Sequence, residues 1–387
     1  MDFEFTEQQK LLKQNARNFM EREIAPVAAE YDRRGPLPSE QARLFLNRLA
    51  PLGYIGGPVA ESCGGQGLDF LSYGLLLEEL SRAWGSLGGL AMIDTGVTWL
   101  ISSLGNDEQR KLFLPALLNA DKIACIGVTE PGAGSNSASL TTTVAPSGPN
   151  LLVNGTKTWI SNGSIADIAV ILGITDRALG PKGMSLIVID KETSPFSVRE
   201  LPKMGLKAWP TSELSFQDCK VPRANIIGSA GEGYRRTLMA FEVFRCGVAT
   251  ISLGLAQAAL DASVAYAQER KQFGKPIGKF QLVQRMIYEM LAETEAARFL
   301  TYRAWSLLDK GARCDRETAL AKAYSTEIAV GVTSKAIQVH GAYGISEDYP
   351  VERYFRDARS LTIPDGTTQI MELVVARQTL GMSAFSY

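Results

Sequence analysis

Residues 234–273, YRRTLMAFEVFRCGVATISLGLAQAALDASVAYAQERKQF, run for 40 positions without a proline. Nothing in them breaks a helix, and the pattern predicts one long helix across the stretch. Residues 281–310 and 316–340 are also free of proline and predict two more. Long consecutive helices of this kind pack as an antiparallel bundle. Their apolar faces mark a core and identify no function.

Working upstream, 123–129, 151–153, 168–174, 184–190 and 213–216 are short runs rich in β-branched and apolar residues. Asn154-Gly155, Asn162-Gly163 and Pro181-Lys182-Gly183 read as turns between them, and the expectation is a compact antiparallel β domain closing near Gly231. Before Lys122 the texture is helical. Thr6 and Gln9 form a capping-box pattern ahead of Leu12, Ala16, Phe19 and Met20 on one face, and Pro26 follows the end of that run. Further helices are predicted over 39–49, 70–82 and 107–118.

A chain of 387 residues exceeds the usual size of one hydrophobic core, so two or three domains are expected. Forty basic against 41 acidic residues leave a net charge of -1, which offers no field for nucleic acid. The five cysteines are widely spaced, with no CxxC pair, and read as reduced thiols. No uninterrupted apolar run reaches the roughly 20 residues of a membrane helix. The opening Met1-Asp2-Phe3-Glu4-Phe5 lacks the basic and apolar regions of a signal peptide. The expectation is a cytoplasmic protein without membrane insertion. A single histidine, His340, makes Ser-His-Asp hydrolysis and most zinc chemistry, both of which need imidazole, poor expectations and points to carboxylates, backbone dipoles or a cofactor.

Five motifs carry chemistry. Thr129-Glu130-Pro131-Gly132-Ala133-Gly134-Ser135-Asn136 follows a predicted strand, either as a surface loop or as a backbone cradle for a ligand. Trp159-Ile160-Ser161-Asn162-Gly163 offers an aromatic beside a hydroxyl, for a planar heterocycle or for the core. Arg270-Lys271-Gln272-Phe273-Gly274-Lys275-Pro276-Ile277 places a guanidinium where it can grip a pyrophosphate or simply complement a helix dipole. Gln338-Val339-His340-Gly341-Ala342-Tyr343-Gly344 reads as a helix stop. Pro364-Asp365-Gly366-Thr367-Thr368-Gln369-Ile370 sets a carboxylate in a tight turn, as a cap or as a base.

In this order and at these separations the motifs resemble the acyl-CoA dehydrogenase family over essentially the whole chain; Met204-Gly205 and Gly231-Glu232-Gly233-Tyr234 extend the likeness. The resemblance implies an α+β multidomain fold: an N-terminal α-helical domain at 1–121, a middle antiparallel β domain at 122–231 and a C-terminal four-helix bundle at 232–387. It implies bound FAD, an acyl-CoA substrate, an electron-transferring flavoprotein as acceptor and a homotetramer. By the same likeness Val128, Thr129, Trp159, Ser161, Arg270, Gln272, Phe273, Gln338, Thr367 and Gln369 would hold FAD, partly across a subunit boundary. Ser135, Glu242 and Arg245 would meet the acyl-CoA. Gly341-Ala342 stands where relatives often have Gly-Gly.

The chain departs from the family at its base. Most relatives carry glutamate at the position of Asp365, and a subset carries it before the arginine matching Arg245, where this chain has Phe244. Asp365 is the simplest remaining candidate. Asp94, in a segment that lines the acyl pocket of relatives, is a second, its alternative being an exposed helix residue or loop cap. Such variation resembles the cyclohexanecarboxyl-CoA and cyclohex-1-ene-1-carboxyl-CoA dehydrogenases, which implies a cyclic or branched acyl group. An acyl-CoA oxidase and a noncatalytic flavin-binding relative stay open as alternatives.

Overall fold

The computed structural model describes residues 4–384. Residues 1–3 of the opening stretch, like 385–387, lie outside them. Six helices come first: α1 (Glu7–Phe19), α2 (Ala25–Arg34), α3 (Ser39–Leu49), α4 (Phe70–Ala83), α5 (Gly85–Leu104) and α6 (Asp107–Leu118). The capping box forms as its residues predict, Thr6 Oγ1 accepting from the Gln9 amide and Gln9 Oε1 from the Thr6 amide, both at 3.2 Å. The helical path does not stop before Pro26. A π-helical turn, Met20–Ile24, carries α1 into α2, and Pro26 sits in the first turn of α2, where its missing N–H costs nothing.

Helix α5 was not expected from sequence, because Gly85, Gly88, Gly89 and Gly96 lower its propensity. Packing overrides propensity here. A Cβ on Gly89 would fall 2.4 Å from the Trp209 ring, and one on Gly96 would fall 2.3 Å from Phe244, so glycine lets both rings seat against the helix backbone. Beside it α4 buries Glu78 and Glu79. Glu78 meets Lys13 at 3.4 Å and Arg298 at 3.1 Å, and Glu79 meets Arg17 at 2.9 Å, which ties α1, α4 and the C-terminal helices together.

The middle domain is a seven-stranded sheet of β1 (Ala124–Gly127), β2 (Thr143–Ser147), β3 (Asn150–Ser161), β4 (Ile168–Ile174), β5 (Met184–Asp190), β6 (Ser197–Glu200) and β7 (Thr211–Pro222). Most neighbours are antiparallel, but β1 and β2 both pair with β4 in parallel, so the sheet is mixed. Asn154-Gly155 is not a turn. It lies inside β3, where the register against β7 shifts between Val153 and Gly155. A second shift, between Lys157 and Ile160, brackets Trp159.

The C-terminal domain contains α7 (Gly233–Glu269), α8 (Gln281–Asp309), α9 (Asp315–His340), α10 (Val351–Leu361) and α11 (Thr368–Leu380). Helix α7 ends at Glu269, before Phe273, because the chain turns into a small hairpin, β8 (Lys271–Gln272) and β9 (Lys275–Pro276). Helices α5 and α7 are long and apolar enough to cross a membrane, but each is mostly buried inside the fold, which is why each is apolar. The three-domain architecture is therefore helices, β sheet, helices.

Candidate active site

On the middle domain the first two motifs meet. The Thr158 amide donates to Thr129 O at 2.9 Å, which sets the 129–136 loop against the end of β3. Below it the buried Lys157 Nζ donates to Glu130 Oε1 at 2.8 Å, and Glu130 also accepts from the amides of Thr141 and Thr142. Desolvation pushes the Glu130 carboxyl upward, but Lys157 wins and holds it at about 2. Above that anchor, a Cβ on Gly132 or Gly134 would meet nothing within 4 Å, so the loop borders open space. Ser135 is exposed, Thr129 and Ser161 are half-buried and Val128 is buried.

Trp159 is no core residue. Its φ of 59°, between the two register positions of β3, turns the indole out of the strand's alternation, and it is 59% exposed. Asn162, fully buried, does the structural work of that motif. Its Nδ2 donates to Leu90 O and Ala124 O at 3.1 and 3.2 Å, and its Oδ1 accepts from Trp209 Nε1 at 2.9 Å.

On the C-terminal domain Asp365 occupies the turn between α10 and α11 with φ 54°, a left-handed conformation that is uncommon for a non-glycine residue. Thr367 caps α11, its Oγ1 accepting from the Ile370 amide at 3.3 Å, and the exposed Gln369 follows. Arg245 Nε, on α7, donates to the carbonyl of Asp365 at 3.3 Å. Lys322 Nζ, on α9, donates to Thr362 O at 2.9 Å and Gly366 O at 2.7 Å. Desolvation raises the Asp365 carboxyl above the ordinary aspartate range, while Lys322 and Arg245 pull it back. No hydrogen bond reaches that carboxylate among the described residues. Glu242 is half-buried, and its Oε2 accepts the Cys314 thiol at 3.4 Å.

Asp94 is neither an exposed helix residue nor a loop cap. It is completely buried, and its Oδ1 accepts the first amide of β1, Ala124 N, at 2.7 Å. Desolvation pushes its carboxyl up to about 7, with the Ala124 amide opposing. Its other oxygen has no hydrogen-bond partner among the described residues. Leu90, one turn earlier, also faces the β domain through Asn162, whereas Gly96 and Met92 meet Phe244 and Gly247 of α7.

Arg270, Gln272, Phe273 and Gln338 gather at the far end of the bundle, all four exposed. Arg270 lies 5.7 Å from the Tyr343 ring and forms no ion pair among the described residues; Phe273 is 92% exposed. His340 serves structure, with Nδ1 on Ala336 O at 2.8 Å and its ring stacked on Tyr266. From Arg245 to Arg270 helix α7 advances about 38 Å at 1.5 Å per residue. The long helix therefore sets the Asp365 turn and the Arg270 end far apart within one chain.

These surfaces fit FAD. An exposed indole, next in chain to the Thr158 that anchors an open glycine loop, suits a planar ring, and an exposed guanidinium without an acidic partner among the described residues suits a pyrophosphate. The motifs missed Lys157 and Lys322. Lys322 had a visible signal, a charge on the same helical face as Thr318, Ala319, Thr326 and Ala329, all of them buried.

Comparison with known proteins agrees with this geometry. Residues 6–121, 125–219 and 231–380 match the N-terminal, middle and C-terminal domains of acyl-CoA dehydrogenase. A short-chain-specific acyl-CoA dehydrogenase of Clostridium acetobutylicum is 38% identical over 97% of this chain and 99% of its own length. Butyryl-CoA dehydrogenase from Megasphaera elsdenii superimposes with a TM-score of 0.94 at 34% identity, covering 98% of this chain and 100% of that one. A chain in the structure of the electron transferring flavoprotein of Acidaminococcus fermentans, described for flavin-based electron bifurcation, does so with a TM-score of 0.95 at 36% identity, covering 98% and 100%. The chain belongs to the acyl-CoA dehydrogenase family and is an FAD-dependent oxidoreductase acting on acyl-CoA thioesters.

Proposed function

We propose that Asp365 removes the α proton of a short-chain acyl-CoA, in an assembly of four chains that passes its electrons to an electron-transferring flavoprotein. The observation that carries the base is the turn itself. A carboxylate without a hydrogen-bonding partner among the described residues sits in a left-handed turn whose carbonyls are gripped by two cations from two helices. Its raised pKa suits a group that must accept a proton.

Bound FAD supplies the two-electron acceptor for the β hydrogen. Val128, Thr129, Trp159 and Ser161 would meet its ring system, Thr367 and Gln369 the segment beside it. Arg270, Gln272, Phe273 and Gln338 of a neighbouring chain would hold the phosphate end, a reading that the distance along α7 from Arg245 to Arg270 supports. Ser135, Glu242 and Arg245 would serve the thioester. For Arg245 the contact with the Asp365 carbonyl favours bracing the base over reaching the outer CoA.

Assembly is supported by apolar side chains exposed along α8, namely Leu282, Tyr288 and Leu291. The flavoprotein partner is supported by the likeness to a chain described with one. Five free cysteines fit a reducing compartment such as the cytoplasm. Short-chain substrates rest on the relatives named above; a cyclic acyl group finds no support among them. Anaerobic mixing of the FAD-loaded protein with butyryl-, isobutyryl-, glutaryl- and longer acyl-CoAs tests the reading. Loss of flavin colour with the short thioesters is expected, and an unbleached flavin with every thioester would leave a binding protein instead.

A further inference from the structure

Lys322 belongs to none of the motifs and is fully buried. Its two contacts bracket the base, since Thr362 O lies at the end of α10 and Gly366 O directly follows Asp365. Arg245 holds the carbonyl between them from the side of α7. Three successive anchor points therefore fix a backbone that has to remain left-handed at a residue with a Cβ.

The ammonium forms no ion pair within 4 Å among the described residues, although burying an unpaired charge is costly. A neutral group would fill this space at less cost. The charged and titratable groups around it are Asp365 in the turn, Arg245 on α7, Glu327 on α9 and Arg359 at the end of α10. Glu327 is exposed and accepts the Thr368 hydroxyl at 2.6 Å, so Asp365 is the anion left for the ammonium to serve.

We propose that Lys322 is a positioning residue for the base: its ammonium holds the turn that aims Asp365 and supplies the positive charge beside which that carboxylate ionises. The proposal rests on Asp365 being the base. It also explains why both donors reach backbone carbonyls rather than the carboxylate, which stays open to take a proton. Burial lowers the lysine to about 8, in line with a charge kept in a dry site only by its partners.

The test uses the FAD-loaded full chain with Lys322→Met, Lys322→Gln and Lys322→Arg, and Asp365→Asn in parallel. Turnover of butyryl-CoA is followed from pH 5 to 9. Loss of the cation disfavours the carboxylate, so the acid limb of kcat/KM should move up by about one pH unit or more in the Met and Gln variants. Their kcat should fall about 10- to 100-fold with KM nearly unchanged, since a misplaced base loses rate rather than binding. Lys322→Arg should restore the acid limb. A lysine that only caps α10 would alter assembly and leave the limb in place. An unmoved limb in both neutral variants overturns the proposal, as does loss of assembly in both while Lys322→Arg assembles. If Asp365→Asn is inactive and the limb is unmoved, only the role of Lys322 falls; if Asp365→Asn turns over normally, the reading of the base falls first.

Discussion

Two aspartates of this chain are both desolvated, and the fold treats them in opposite ways. Asp94 is sealed between α5 and β1, receives one backbone amide and forms no ion pair among the described residues. Asp365 receives no hydrogen bond on its carboxylate among the described residues, yet its turn is held by Lys322 and Arg245, whose charges oppose the desolvation. A raised pKa by itself does not make a base. What distinguishes Asp365 is a carboxylate on a backbone held by two cations, whereas the Asp94 carboxyl is fully buried and spends one oxygen on the Ala124 amide that joins two domains.

The widest gap between the two should appear on removing the carboxylates. Asp365→Asn is expected to lower kcat about 10²- to 10⁴-fold while FAD content and thioester affinity persist, measured by steady-state turnover and by titration. Asp365→Glu sharpens the point about aim. One added methylene moves the base by about 1 Å, and a loss of roughly 10- to 100-fold is expected. Arg270→Ala acts on neither aspartate and should lower FAD retention after dialysis while leaving the fold, judged by circular dichroism, intact. Light scattering should give four chains per particle, and a monodisperse monomer would break the reading of the arginine end.

Asp94→Asn should have the smallest effect on rate, within about tenfold. Its effect belongs to stability. The Asp94 carboxyl rises from 3.8 to about 7 on folding, so the fold favours its protonated form. Stability from such a group is complete below about pH 4 and is lost as pH climbs through 7. Asparagine keeps the acceptor for Ala124 without the charge. Asp94→Asn should therefore gain on the wild type with rising pH, by about 1–4 kcal/mol at pH 8, read by thermal denaturation at pH 4 and 8. An equal difference at both pH values would contradict the assigned environment.

Much of the fold was legible because its signals are local. Proline-free stretches marked α7, α8 and α9, and the Thr6 capping box marked the start of α1. What was hidden depends on partners distant in sequence. Helix α5 was obscured by glycines that exist for the rings of Trp209 and Phe244, and Asn154-Gly155 looks like a turn until β7 pairs across it. In the site the motifs pointed to Trp159, Arg270 and Asp365, while the outward indole depended on a register shift that only strand pairing reveals. Lys322 stood out only as a charge on a buried face, its target 40 residues away at Thr362.

The most direct test of the account is anaerobic single-turnover mixing of butyryl-CoA with FAD-loaded Asp365→Asn and Asp94→Asn side by side. The account predicts that Asp365→Asn binds the thioester and keeps its oxidised flavin spectrum, while Asp94→Asn bleaches at close to the wild-type rate. Bleaching by Asp365→Asn at the wild-type rate, or a ranking in which Asp94→Asn is the slower of the two, would contradict it.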